Sequence, residues 1–89
     1  MSAVEDRLAE LGLSVPEVTV PLASYVPAVI SGSYVYTSGQ LPFISGALQA
    51  TGRLGSEIEV DEGVSLAQIC GLNAIAAVKS VIGDLDRVV

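Results

Sequence analysis

No histidine and no tryptophan occur in these 89 residues, cysteine occurs once, and lysine and arginine together occur only four times. Each shortage removes a class of function. Without histidine there is no His-based triad, no His metal site and no usual general base at neutral pH. One cysteine beside no histidine leaves no basis for a zinc centre, and no cofactor is expected. The lone thiol, Cys70, excludes an internal disulfide framework and points to a reducing, cytoplasmic setting. Arg7, Arg53, Lys79 and Arg87 are spread along a chain of net charge -6, so they form no basic patch. Nucleic acid bound through counterion release, or an anionic membrane surface, is therefore not an expected partner. The N-terminal "MSAVEDRLAE" is charged and amphipathic, with no apolar leader core. The most apolar segment, Ala67 to Val78, is broken by Gln68 and Asn73 and is short for a bilayer.

What is present is apolar. Hydrophobic residues make up 51% and charged residues 16%, too apolar for a disordered chain and rich for a small monomer. Such an excess implies burial against partner subunits.

The order along the chain reads as one small domain. Ser2 and Glu5 have capping-box spacing, Val4, Leu8 and Leu11 share a helical face, and Gly12 supplies a stop. A helix over Ala3–Leu11, packed outside a sheet, is expected. Glu17 to Val20 could form a short edge strand. Tyr25 to Ile30 is a strand interrupted by Pro27, Ser31-Gly32-Ser33 is a tight turn, and Tyr34 to Ser38 returns as a second strand. Tyr34, Tyr36 and Ser38 fall on one face, Val35 and Thr37 on the other. The glycine-rich stretch that follows reads as a loop, with a short third strand at Ala47 to Ala50. Within it "TGRLG" has the look of a phosphate cradle but lacks the P-loop spacing. From Asp61, capped by Asp61 or Ser65, a helix runs to Ile82 and is apolar nearly all round through Ile69, Cys70, Leu72, Ile75, Ala76 and Val78. Gly83 ends it, Asp84 to Asp86 turns, and Arg87-Val88-Val89 begins a further apolar strand.

The run "YVYTSGQLP" joins an aromatic strand to a hydroxyl, a glycine, an amide and a proline. Together with the preceding "SYVPAVISGS" it resembles the opening of the RidA (YjgF) family, also called the L-PSP endoribonuclease family. The matching residues are Tyr25, Gly32 and Thr37-Ser38-Gly39-Gln40-Leu41-Pro42. The later "LAQICGLNAIAAVKSVIGDLDRVV" resembles that family's first long helix around Asn73. The resemblance implies an α+β, chorismate-mutase-like fold: an antiparallel hairpin and mixed sheet backed by a long helix. It also implies that residues 1–89 form a single incomplete domain, truncated before the C-terminal strands. It further implies a homotrimer whose ligand sites lie between subunits, with Tyr25, Ser38 and Gly39 lining the pocket. The family's characteristic activity is hydrolysis of enamines and imines, such as 2-aminoacrylate, to a keto acid and ammonia. An arginine holds the substrate carboxylate. That arginine and a late glutamate belong to the family's C-terminal part, and neither Arg53 nor Arg87 falls at the matching place. The alternative on the same scaffold is a non-catalytic binding or regulatory protein for a small-molecule ligand with a carboxylate.

Other conspicuous residues read as structural. Cys70 on the apolar helix is a buried thiol without a neighbouring base. Asn73 faces the sheet or caps a backbone group. Tyr34 and Tyr36 are packing residues. Glu57, Glu59, Asp61 and Glu62 form a solvated edge and a favourable helix N-terminus.

Overall fold

A computed structural model describes residues 2–18 and 24–89. The chain begins with α1, Ala3–Glu10, one residue shorter than the spacing predicts. The Ser2 hydroxyl accepts from the Glu5 N–H at 3.1 Å, as a cap should. Gly12, at φ 76, ends the helix: its N–H bonds to Ala9 O, and the N–H of Leu13 reaches back to Leu8 O. That pair of bonds is a Schellman closure, which requires the left-handed backbone glycine supplies.

The other orphan donors at the start of α1 are satisfied from far along the chain. The carboxylate of Asp86 accepts from the N–H of Ala3 at 2.8 Å and of Val4 at 3.2 Å. Asp86 lies in a 3-10 helix, Leu85–Arg87, whose Leu85 is buried. The expected packing of α1 on the outside of a sheet is not what is found. Among the described elements, α1 packs against this 3-10 helix alone. A Glu5–Lys79 ion pair at 3.1 Å ties it to the long helix as well.

The hairpin is present. β1, Ala28–Ser31, pairs antiparallel with β2, Tyr34–Thr37, from Ala28 opposite Thr37 to Ser31 opposite Tyr34. β1 starts after Pro27, which has no N–H for the ladder. Gly32 at φ 61 takes the first place of a two-residue turn, as a II′ hairpin requires. Opposed residues share a face, so Ala28, Ile30, Val35 and Thr37 lie on one side and Val29, Ser31, Tyr34 and Tyr36 on the other. Ala28 is buried and Val35 half-buried, which makes theirs the inner face. Tyr34 is 70% and Tyr36 56% exposed, so the two tyrosines expected to pack are left outside. Their rings tilt against each other with centroids 6.3 Å apart.

The short strand expected at Ala47 to Ala50 is found at Ala47–Leu48, and it closes a second hairpin where the rest was expected to be loop. β3, Phe43–Ile44, pairs with β4, Ala47–Leu48. Ser45 and Gly46 join them with φ of 51 and 79, both positive as a I′ turn demands. Each sheet has two strands, and the parallel component is confined to the isolated bridge between Leu54 and Ile58. The expected edge strand at 17–20 lies partly outside the described residues, and Glu17 and Val18 are not in a strand.

The long helix, α2, spans Val60–Ile82. Glu59 holds the N-cap position without a side-chain bond, so neither expected cap serves. Ser65 is instead inside the helix, its hydroxyl donating to Asp61 O at 3.4 Å. Gly83 closes the helix, and the Ile82 carbonyl accepts from the Asp84 N–H and from the Arg87 guanidinium, each at 2.9 Å. The whole helix, longer than the segment 67–78, has the length and apolarity to cross a membrane. Here it is the pedestal of the fold: β1, β2 and β3 all pack on it. The buried set among the described residues is small, with Ala28, Ile58, Ala76, Ala77 and Leu85 joined by the polar Ser2 and Asn73.

Replacing Asp86 by Ala removes the acceptor for two first-turn N–H groups. The loss of such a cap is typically about 0.5–2 kcal/mol. Amide exchange at Ala3 and Val4 should accelerate by roughly 2- to 30-fold, the same range as a rate ratio. Unchanged exchange there would show that Asp86 does not hold α1.

Candidate functional site

Beyond Thr37 the hairpin continues for one rung. The Ser38 N–H donates to Pro27 O at 3.0 Å, and the Ser38 hydroxyl donates to the same carbonyl at 3.4 Å. This rung sets Ser38 beside Pro27, two residues from Tyr25. The three expected site residues, Tyr25, Ser38 and Gly39, therefore share the open end of one hairpin. Tyr25 is 44% exposed, Gly39 is exposed and Ser38 is half-buried.

Gly39 does not use the left-handed backbone that its residue type permits. Nor does anything in the chain stand within 4 Å of the place a Cβ would take. The space beside it is open to a close-approaching group. Gln40 folds back, its side-chain Nε2 donating to Ser38 O at 3.2 Å. A tight turn follows at Pro42, closed by the Phe43 N–H on Leu41 O at 2.8 Å.

The turn is fixed from below. Asn73 is 2% exposed, and its Nδ2 donates to Leu41 O and to Phe43 O, each at 3.0 Å. Sequence reasoning allowed a backbone cap for Asn73 without locating it; the signal was a single amide within an apolar helix. Between these two anchors, Pro27 at one end and Asn73 at the other, lie Gly39, Gln40 and Leu41. Their N–H groups meet no acceptor among the described residues. The rim thus presents three main-chain donors and a hydroxyl, a set that suits a carboxylate or another oxyanion. No Asp, Glu, Lys, Arg or His occurs from residue 24 to 52, so the rim carries no charge of its own.

A separate open cleft of about 250 Å³ lies between the second hairpin and the start of α2. Pro42, Leu54, Ile58, Gly63 and Leu66 line it, and Tyr25, Ser38 and Gly39 do not. Its wall includes the "TGRLG" loop, which is no phosphate cradle. The N–H groups of Gly55, Ser56 and Ile58 are taken by carbonyls of the loop itself. The Glu57 carboxylate closes it, accepting from the Ser56 hydroxyl at 2.7 Å and the Arg53 N–H at 2.8 Å. Glu57 is exposed, as expected of a solvated edge, and also clasps the loop. Gly52, at φ 139, must stay small, since a Cβ there would stand 2.6 Å from that of Glu57. Cys70 is free and half-buried. Among the described residues no three His, Cys, Asp or Glu side chains gather as a metal site requires.

Residues 5–89 match the family described as YjgF/chorismate mutase-like, putative endoribonuclease. The chain belongs to the YjgF family. Its fold is accordingly the chorismate-mutase-like one, seen here as two antiparallel pairs on a long helix. It is similar to a solved structure from Shewanella oneidensis MR-1, named a putative endoribonuclease. Identity is 43% and the TM-score 0.86, over 93% of this chain and 55% of that one. It is also similar to the Agrobacterium tumefaciens protein Atu1372, of unknown function, at 42% identity and TM-score 0.78, over 92% of this chain and 50% of that one. Protein TCP17 of Trypanosoma cruzi is 38% identical over 85 residues, 96% of this chain and 53% of that protein. This YjgF chain thus spans about half the length of each of these relatives.

The Ser56 hydroxyl, then the Arg53 N–H, hold the Glu57 carboxyl below its ordinary value of 4.5. A carboxyl lowered by folding stabilises the loop above its unfolded pKa and stops doing so as pH falls through the folded one. Exchange of the Arg53 amide, corrected for intrinsic rate, should be flat from neutral pH to about 5 and rise below 4.5. Glu57→Gln should abolish that rise. A rise that survives in Glu57→Gln would assign it to another group.

Proposed function

We propose that this YjgF chain supplies the hairpin-end half of a site that hydrolyses enamines and imines bearing a carboxylate, such as 2-aminoacrylate. The observation that carries the reading is the uncharged rim at Ser38–Leu41, with three N–H donors that meet no acceptor among the described residues and a hydroxyl held only by a long bond to Pro27 O at 3.4 Å. In the reaction a proton adds to the CH2 carbon of 2-aminoacrylate, giving the imine. Water adds through oxygen to the C=N carbon. The resulting carbinolamine loses ammonia and leaves the keto acid. Neither histidine nor a metal is needed. Ser38 and the rim N–H groups hold the carboxylate, Gly39 leaves room for it, and Tyr25 bounds the pocket. In this reading a cationic partner for the carboxylate comes from residues beyond these 89, because the rim has none.

A homotrimer with sites between subunits accords with the surface. The chain exposes 6163 Å². A compact monomer of 9.1 kDa would expose roughly 4,900 Å². Much of the excess is apolar, including Val29, Tyr34 and Tyr36 on the outer hairpin face. The setting is taken as cytoplasmic on the lone cysteine, and residues 1–89 as one part of a single domain.

The family description and that of the Shewanella oneidensis relative carry the word endoribonuclease. The net charge of -6, the scattered basic residues and the missing histidine all speak against RNA cleavage by these residues. A non-catalytic carboxylate-binding protein is the second reading, favoured by the absence of any ionisable group at the rim other than the neighbouring Tyr25.

Ser38→Ala separates a ligand role from a structural one. Loss of a hydroxyl bond typically costs about 0.5–1.5 kcal/mol, or roughly 2- to 12-fold in affinity. Affinity for a 2-keto acid should fall by that factor. The melting midpoint should barely move, because the bond to Pro27 O is long and the Ser38 N–H keeps its partner. Unchanged affinity with a midpoint lower by several degrees would reject the ligand role.

A further inference from the structure

We propose that Asn73 is the positioning residue of the rim: its two amide hydrogens set the conformation in which Gly39, Gln40 and Leu41 offer their N–H groups to a ligand. The inference rests on the carboxylate-site reading above. It starts from how little else holds this segment. The second hairpin holds Pro42, whose carbonyl accepts from the Gln49 N–H at 3.1 Å, but from Gly39 to Leu41 there is no ladder bond among the described residues, only the fold-back of Gln40 onto Ser38 O and the turn closed on Leu41 O. Both of those are local, so they shape the segment without fixing it to the fold. The Ser38 rung fixes one end. At the other, Asn73 reaches carbonyls 32 and 30 residues away in sequence. It does so from the middle of α2, the element on which β1, β2 and β3 pack.

The residue type is specific to the task. Two carbonyls need two donors converging from one buried point. A neutral amide nitrogen supplies both without bringing a charge into the core. Aspartate has the same shape but presents only acceptors when ionised. Leucine has a similar volume and no polar atom.

The chain's composition makes the test clean. Residues 24–52 hold no Asp, Glu, Lys, Arg or His. On α2 the ionisable side chains are Asp61, Glu62, Cys70 and Lys79. With no histidine in the chain, no side chain of ordinary pKa titrates between pH 5 and 7.5. An aspartate buried at position 73 would titrate upward of its ordinary range, and its protonated form could donate one of the two bonds.

The experiment compares Asn73→Asp and Asn73→Leu with wild type at pH 7.5 and 5.0. It reads amide exchange at Gly39–Leu41 and at α2, without ligand, and the Kd of 2-oxobutanoate as probe. At pH 7.5 both variants should exchange at least tenfold faster on the rim than wild type, with a smaller change along α2. Probe affinity should drop by about tenfold. At pH 5.0 the Asp variant should recover part of both, and the Leu variant neither. Rim and helix exchange rising together, with no recovery in acid, would overturn the proposal and leave Asn73 as a core residue only. If Asn73→Leu fails to fold, the Asp variant suffices: equal rim exchange at the two pH values overturns it. A wild-type protein that binds no probe, with the exchange pattern as expected, would reject the ligand reading while upholding the anchor.

Discussion

Both hydrogens of the Asn73 amide leave an apolar helix to meet the carbonyls of Leu41 and Phe43, and on that pair of bonds the arrangement of the fold turns. A buried amide is costly unless satisfied, and an unsatisfied carbonyl is costly as well. Each side therefore requires the other. The bonds lock the crossing from the first hairpin to the second at a fixed height on α2. β3 and β4 are two residues each and would not persist unsupported. Their position follows from the anchor. The rim at Ser38–Leu41, strung between this anchor and the Pro27 rung, takes its shape from the same constraint.

A second, independent tie closes the far side of the molecule. Asp86 caps α1 through two N–H groups, and Glu5 pairs with Lys79. α1 has no buried residue of its own. Directed hydrogen bonds at its first turn, rather than apolar area, orient it on the 3-10 helix. The same shortage of buried area runs through the chain. Three of the five buried apolar residues among those described are alanines, beside Ile58 and Leu85. The small core lies under a hairpin whose tyrosine face is exposed.

Much of the backbone was legible in the residues. The Ser2 cap, Gly12, Gly32 and Gly83 each mark a boundary by a local mechanism, and each boundary falls where that mechanism puts it within a residue. What local patterns could not carry was long-range pairing. Ser45-Gly46 is a I′ turn with only two residues on either side, too short to show a period of two. Asp86 looks like any acidic turn residue until α1 is brought to it. Glu57 looks merely solvated, and is exposed, but its bonds to Ser56 and Arg53 appear only once the loop is folded. Ser65 has a capping pattern, yet the helix starts earlier because Val60 and Asp61 continue it. Of the site, the sequence held the residue types, through the order Tyr25, Ser38-Gly39-Gln40 and Asn73. It did not show which backbone donors would be left unpaired, since that depends on where neighbouring carbonyls point.

The central claim is that the unpaired donors at Gly39–Leu41 form an anion-binding rim. Titration of the isotopically labelled protein with 2-oxobutanoate, followed through backbone amide shifts, tests it most directly. The account predicts saturable shifts that are largest at Gly39, Gln40 and Leu41, with weaker ones at Tyr25 and Ser38. Shifts concentrated on Leu54, Ile58 and Leu66, or no saturable shift on the rim, would contradict it.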